Sequence, residues 1–288
     1  MESTNLDLSI FGYQFMQYAI LATFLGGIAC AFIGVFVVLL HMPFIGVAMS
    51  HAAFAGALFG LLIGVNPLIT AFVFSFIVAL IIGPLADRGQ LSPDTSLGVI
   101  FSLMLGIAFL IIGLMPTTRS DALNLLWGSV LTVTRTDILL LAIVAAVVVG
   151  MVVVFFKEAQ ATVFNRQIAL SVGLPATLIL YVILFMTGAT ITVSLNSIGG
   201  LLIFSLILNP AAAAYQLTYN MKKMFLLAAV FGVASGWAGL LLSYLFDLPS
   251  GATIVITSSL IFGVCALFSP KRKTRKMPVK TGSEKHSG

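Results

Sequence analysis

Charge is what this sequence has least of. Asp, Glu, Lys and Arg together make up 8% of its 288 residues, where a soluble domain carries roughly a quarter. So small a polar stock cannot cover a surface that faces water. A soluble globular domain is therefore excluded, and a bilayer becomes the working solvent. Basic residues are also missing from most of the chain's length. Seven of the fourteen Lys and Arg lie between Lys271 and Lys285, and the others sit at the ends of apolar runs. That placement argues against a nucleic-acid surface. It reads as a cytoplasmic flank that sets orientation and meets anionic lipid. Cysteine is scarce as well. Cys30 and Cys265 stand alone inside apolar runs, with no CxxC spacing and no Cys/His pairing, so neither a zinc site nor a disulfide framework is indicated. Met1 to Asp7 carries acids and no Lys or Arg, the wrong flank for a cleavable signal peptide.

What is there is a succession of apolar runs of the roughly 20 residues needed to cross a bilayer. They fall at about 13–40, 45–64, 66–86, 95–115, 137–156, 175–194, 198–217, 223–246 and 251–269. The expected fold is all-α, a polytopic bundle of nine spans, or eight if the second run, interrupted by Gly46, Ser50 and His51, is not one. Residues 1–270 then form one membrane domain, with a cytoplasmic loop at 157–175, and residues 271–288 a basic cytoplasmic tail expected to be disordered. With Lys271–Lys276 placed inside, nine alternations put Lys222, Lys223, Lys157, Arg166 and Arg88 inside too, and only Arg119 and Arg135 outside. The N-terminus is then outside. Small residues at four-residue spacing, Gly56, Gly60 and Gly64, and Gly232 with Gly236, read as helix-packing surfaces. Gly199-Gly200 reads as a helix break near the outer face. The outer loop from Pro116 to Thr136, with Trp127 and Leu125-Leu126, is amphipathic.

The spans also lack acids. All nine Asp and Glu lie at or beyond the segment ends. A proton- or sodium-coupled carrier usually needs an intramembrane carboxylate, and an intramembrane enzyme needs a converging acid, base and nucleophile. The chain is thus expected to be non-catalytic, with transport energy supplied from elsewhere. The ionisable exception is His51, flanked by Met49, Ser50, Ala52, Ala55 and Gly56. Imidazole is the commonest transition-metal ligand, thioether sulfur is a softer one, and the small neighbours leave room for an ion. The same histidine could equally be hydrogen-bonded between helices. His41, at the inner edge of the first run, reads as interfacial. In the inner loop, Asn165–Val172, with Arg166, Gln167 and Ala169, reads as a short amphipathic helix. Gly173 ends it and Pro175 opens the next span. It is either a docking knob for a soluble partner or a connector lying on the membrane surface.

Several stretches resemble one family. Phe44-Ile45-Gly46-Val47-Ala48-Met49-Ser50-His51-Ala52 is similar to the motif F-I-G-D-A-x-S-H-A of the permeases of ATP-binding-cassette (ABC) importers for zinc, manganese and iron. These permeases are the partners of cluster-A-I metal-binding proteins. Asp94–Ser102, Leu126–Leu131 with Arg135-Thr136-Asp137, Phe164–Pro175, Gly199–Leu202 through Asn209-Pro210-Ala211-Ala212, and Leu248–Thr253 resemble further motifs of that family in the same order. The resemblance implies a permease that admits a divalent metal ion by alternating access, in a prokaryotic plasma membrane. It implies a homodimer or heterodimer of permeases, a cytoplasmic ATPase dimer that holds ATP and docks on the inner loop, and an extracytoplasmic metal-binding protein. The chain itself is expected to hold no cofactor. His51, with Met49 and Ser50, would meet the ion. The sequence departs from the motif at Val47, where the family has Asp, four residues before the histidine and on its face. Asn209, before Pro210, stands where an apolar residue is usual, and either lines the pathway or bonds a neighbouring helix. The alternative functions are a permease for a chelated metal of siderophore or cobalamin type, or a non-ABC carrier or scaffold.

Overall fold

The computed structural model describes residues 12–88, 93–115 and 130–271. The basic tail from Arg272, most of the outer loop with Trp127, and the first eleven residues lie outside the described residues. Among the described residues the chain forms eleven α-helices. They are α1 (Gln14–Leu39), α2 (Phe44–Ile63), α3 (Pro67–Arg88), α4 (Pro93–Leu114), α5 (Arg135–Val154), α6 (Phe156–Phe164), α7 (Arg166–Ser171), α8 (Ala176–Ile198), α9 (Gly200–Leu217), α10 (Met221–Phe246) and α11 (Ser250–Leu267). Nine of them coincide with the nine apolar runs. Eight are long and apolar enough to span a bilayer, and α9 carries the shorter apolar stretch Ile203–Leu217.

Local chemistry marks the helix ends. Thr134 and Asp137 form a reciprocal capping box at the start of α5, and the Asn220 side chain accepts from the amides of Lys222 and Lys223 to cap α10. Gly64 ends α2 with φ 72°, a conformation that glycine adopts without steric cost. It therefore acts as a terminator, not as the packing residue its spacing had suggested.

The bundle is arranged inside out relative to a soluble protein. α5, the most apolar span, is the least buried, whereas α2, the least apolar, is the most buried. Lipid solvates Val and Leu on α4 and α5, so the outer spans can be uniformly greasy. The interior of the bundle instead takes small residues that let backbones meet. A Cβ on Gly27 of α1 would sit 3.0–3.1 Å from the backbone of Gly232 and Val233 on α10. One on Gly34 would overlap the carbonyl oxygen of Ile207 on α9 and lie 3.0 Å from the Ala211 Cβ. Gly56 and Gly60 meet α3 at Thr70 and Pro67 in the same way. The small residues Gly56 and Gly60 thus let α2, the least apolar span, sit at the centre.

The inner connection holds more structure than its sequence announced. The helix of α5 breaks at Phe155 and restarts as α6, so the first half of the loop is helical before α7 begins. At the other end, α8 and α9 are joined by Gly199 alone, at φ 94° and ψ 143°. After α11, the Ser269 hydroxyl donates to the backbone oxygen and side chain of Gln216, and the Lys271 ammonium stands 3.5 Å from the centre of the Tyr215 ring.

Candidate functional site

One face of α2 carries the chemistry. Phe44 is exposed, and Val47 and His51 are half-buried, while Ala48, Met49, Ser50 and Ala52 on the remaining faces are buried. Val47 and His51 are four residues apart and so lie one above the other. The His51 Nδ1 is 2.9 Å from the Val47 carbonyl oxygen. A carbonyl only accepts, so the nitrogen facing it carries the hydrogen, and Nε2 is left with its lone pair. That is the tautomer a metal ligand needs, fixed here by backbone where metal-binding histidines usually use an outer partner of this kind. The Ser50 hydroxyl donates to the same carbonyl at 2.9 Å and lies 3.4 Å from Nδ1. Phe101 from α4 makes a T-shaped contact with the imidazole, at a centroid distance of 4.7 Å and 90°. The ring is therefore held from below by its own helix and from the side by its neighbour.

The residues proposed from sequence do not all converge. Ser50 joins His51. Met49 does not: it is fully buried, and its sulfur is 3.4 Å from where a Cβ on Gly188 of α8 would be. Two residues along a helix are roughly 200° apart, so a thioether at 49 and an imidazole at 51 serve different neighbours. Asn209 stands at a separate node. Its Nδ2 lies 3.0 Å from Ser205, 3.0 Å from Ser258 and 2.9 Å from Ser259. Both α11 serines donate their hydroxyl hydrogens to Val255, so they accept from the amide, which sets its orientation. This α9–α11 bond is the helix-packing role that the sequence left open. Sequence reasoning had no means to find the serine partners, about 50 residues away. Among the described residues, no three of His, Cys, Asp and Glu gather into a metal-holding group.

The second candidate region is the inner connection. Asn165 caps α7 by accepting from the Ile168 amide at 3.0 Å, and Gly173 takes φ 82° beyond its end. Arg166 donates to the Thr177 hydroxyl at 3.0 Å, tying the connection to α8. Ala169 is buried beneath it, while Gln167 is exposed, and Phe164, Ile168 and Val172 stand 60–68% exposed. A short, rigidly capped helix with an apolar outer face is a surface made to be covered.

The model of a family described as the ABC 3 transport family matches residues 12–269. The manganese transport system membrane protein MntC of Halalkalibacterium halodurans is 32% identical, over 91% of this chain and 90% of that protein. A protein of Haemophilus influenzae named as a probable iron transport system membrane protein is 32% identical, over 93% of this chain and 94% of that protein. Among solved structures, PsaBC from Streptococcus pneumoniae in complex with Fab superposes with a TM-score of 0.82 at 28% identity, covering 92% of this chain and 95% of that one.

Proposed function

This chain belongs to the ABC 3 transport family, and from that premise we infer that it is the membrane-spanning permease of an ABC importer for a divalent transition-metal ion. It is a multi-pass protein of a prokaryotic plasma membrane. Relatives named for manganese and for iron support a cargo of that class. The observation that carries the site is the His51 tautomer: a half-buried imidazole whose Nδ1 faces the Val47 carbonyl and whose Nε2 keeps its lone pair. In this reading His51, with Ser50 beside it, offers the ion one neutral nitrogen as it passes. Two copies of the permease across a dimer offer two. Val47 offers only an apolar side chain where the related motif supplies a carboxylate, so the passing ion meets less negative charge.

The energy comes from ATP on a separate ATPase pair, and the chain itself is non-catalytic. The α7 helix, from Asn165 through Arg166, Gln167, Ala169 and Val172 to Gly173, is the docking element for that ATPase. Its exposed apolar residues and its tie to α8 support this role. The basic segments lie in the cytoplasm with the C-terminus, and an extracytoplasmic binding protein delivers the metal to the opposite face.

The test is uptake of radioactive manganese into proteoliposomes that hold the permease with its ATPase and binding protein. Uptake requires ATP. His51→Ala lowers it at least tenfold while the three components still assemble. Uptake at the wild-type rate in His51→Ala, or accumulation by the permease without nucleotide, overturns the reading.

A further inference from the structure

The break at Phe155 has a geometric result on the lipid-facing side of the bundle. Where α5 turns into α6, the two helices separate from the start of α10 and leave a cleft of about 710 Å³. Its floor is apolar and aromatic. The Phe225 ring lies 5.1 Å from Phe32 and 6.3 Å from Phe156. Its rim is basic: Lys157 and Lys222 both line it, with Glu158 as the single acid, and the Lys222 ammonium stands 5.5 Å from the Phe156 ring. At its outer edge Val153, Val154 and Leu226 are 66–71% exposed, so the cleft opens sideways at the end of two spans. An apolar floor continuous with a lipid-facing edge fits an acyl chain. A pair of lysines at the depth where helices end fits a phosphate group. The amides of the first turn of α10 are already taken by Asn220, so the charge offered is that of the two side chains.

We propose that this cleft binds one anionic phospholipid of the inner leaflet, its phosphate between Lys157 and Lys222 and an acyl chain over Phe32 and Phe225. The inner-leaflet placement rests on the sidedness given under Proposed function. The occupant is lipid because the cleft opens onto the exposed apolar edge of α5 and α10, whereas the exposed apolar face of α7 lies on a different element. A lipid here would wedge the joint between the membrane bundle and the docking helix.

The test is native mass spectrometry of the full permease, purified in its complex and exchanged into nanodiscs of equal parts phosphatidylglycerol and phosphatidylcholine. Phosphatidylglycerol is retained over phosphatidylcholine by roughly thirtyfold, the preference two interfacial lysines confer. In Lys157→Gln/Lys222→Gln the preference falls to near parity, while Lys223→Gln, on the same helix turn but outside the cleft, retains it. A photo-crosslinking side chain at position 226 labels lipid. Equal retention of the two lipids, an undiminished preference in the double variant, or labelling of the ATPase in place of lipid overturns the proposal. Retention is read on the permease mass itself and needs no transport, so a failed metal-import reading leaves this result separately legible.

Discussion

Val47→Asp is the most informative single change. The position is half-buried on the face of α2 that carries His51, one helical turn before it. A carboxylate there would reach an ion held at Nε2 at a separation of about 4 Å. Two unit charges at that distance, with an effective dielectric constant of about 20, interact by about 4 kcal/mol, and a divalent ion doubles that to about 8 kcal/mol. Against it stands the cost of an acid in the first turn of a membrane helix, at most about 2.5–3.5 kcal/mol. The balance favours the ion by about 5 kcal/mol, and even a third of it gives more than a tenfold gain in affinity. The expected outcome is a half-saturating manganese concentration for ATPase stimulation that falls at least tenfold in the assembled importer. Maximal turnover falls with it, because an ion held more tightly leaves more slowly. Without metal, the variant melts at a lower temperature than the parent, and manganese restores it. The gain must vanish in Val47→Asp/His51→Ala. An equal gain with and without the histidine would refute the placement of the ion on this face.

Three further substitutions probe the scaffold and the proposed docking surface. Gly34→Ala should lower the melting temperature of the detergent-purified permease, because overpacking against the α9 backbone costs about 1–3 kcal/mol or more, against about 1 kcal/mol gained in helix propensity. Gly98→Ala meets open space and should leave the melting temperature unchanged or higher; a Gly34→Ala protein at least as stable as the parent contradicts the α1–α9 contact. Ile168→Asp places a charge on the exposed face of α7 and should abolish co-purification of the ATPase without altering the melting temperature of the permease, and undiminished co-purification removes α7 as the docking element.

The spans were legible because lipid imposes one rule, length and apolarity together, on every crossing segment. All nine apolar runs became helices within a few residues. The inner α7 was legible as well, since Asn165 and Gly173 are local signals that act on their own neighbours. The break at Phe155 was not. No glycine or proline marks it, and Val152–Phe156 reads as the tail of one continuous run. At the candidate site, His51 stood out in the sequence by its chemistry, and the roughly 200° spacing of a helix already sets Met49 on another side; that Met49 packs against Gly188 depends on tertiary neighbours and was not legible. The Asn209 node pairs helices far apart in the chain, and no local pattern encodes such a pairing. His41 takes φ 56°, a left-handed conformation that nothing in its flanking residues foretold.

The junction at Gly199 has a mechanical consequence for the importer proposed above. α8 begins just after the docking helix and is tied to it by Arg166 and Thr177; it ends at a single residue whose backbone geometry is nearly reserved for glycine. No loop intervenes between the two helices. In the importer proposed above, a tilt imposed on α8 would pass to α9 through one pair of torsions. α9 in turn carries Pro210, which lacks an amide for the helix ladder, and Asn209, whose grip on two serines holds α11. Under the proposed docking of an ATPase on α7, the two helices would act as a crank with a one-residue pivot, and a longer or stiffer joint at 199 would uncouple nucleotide turnover from transport.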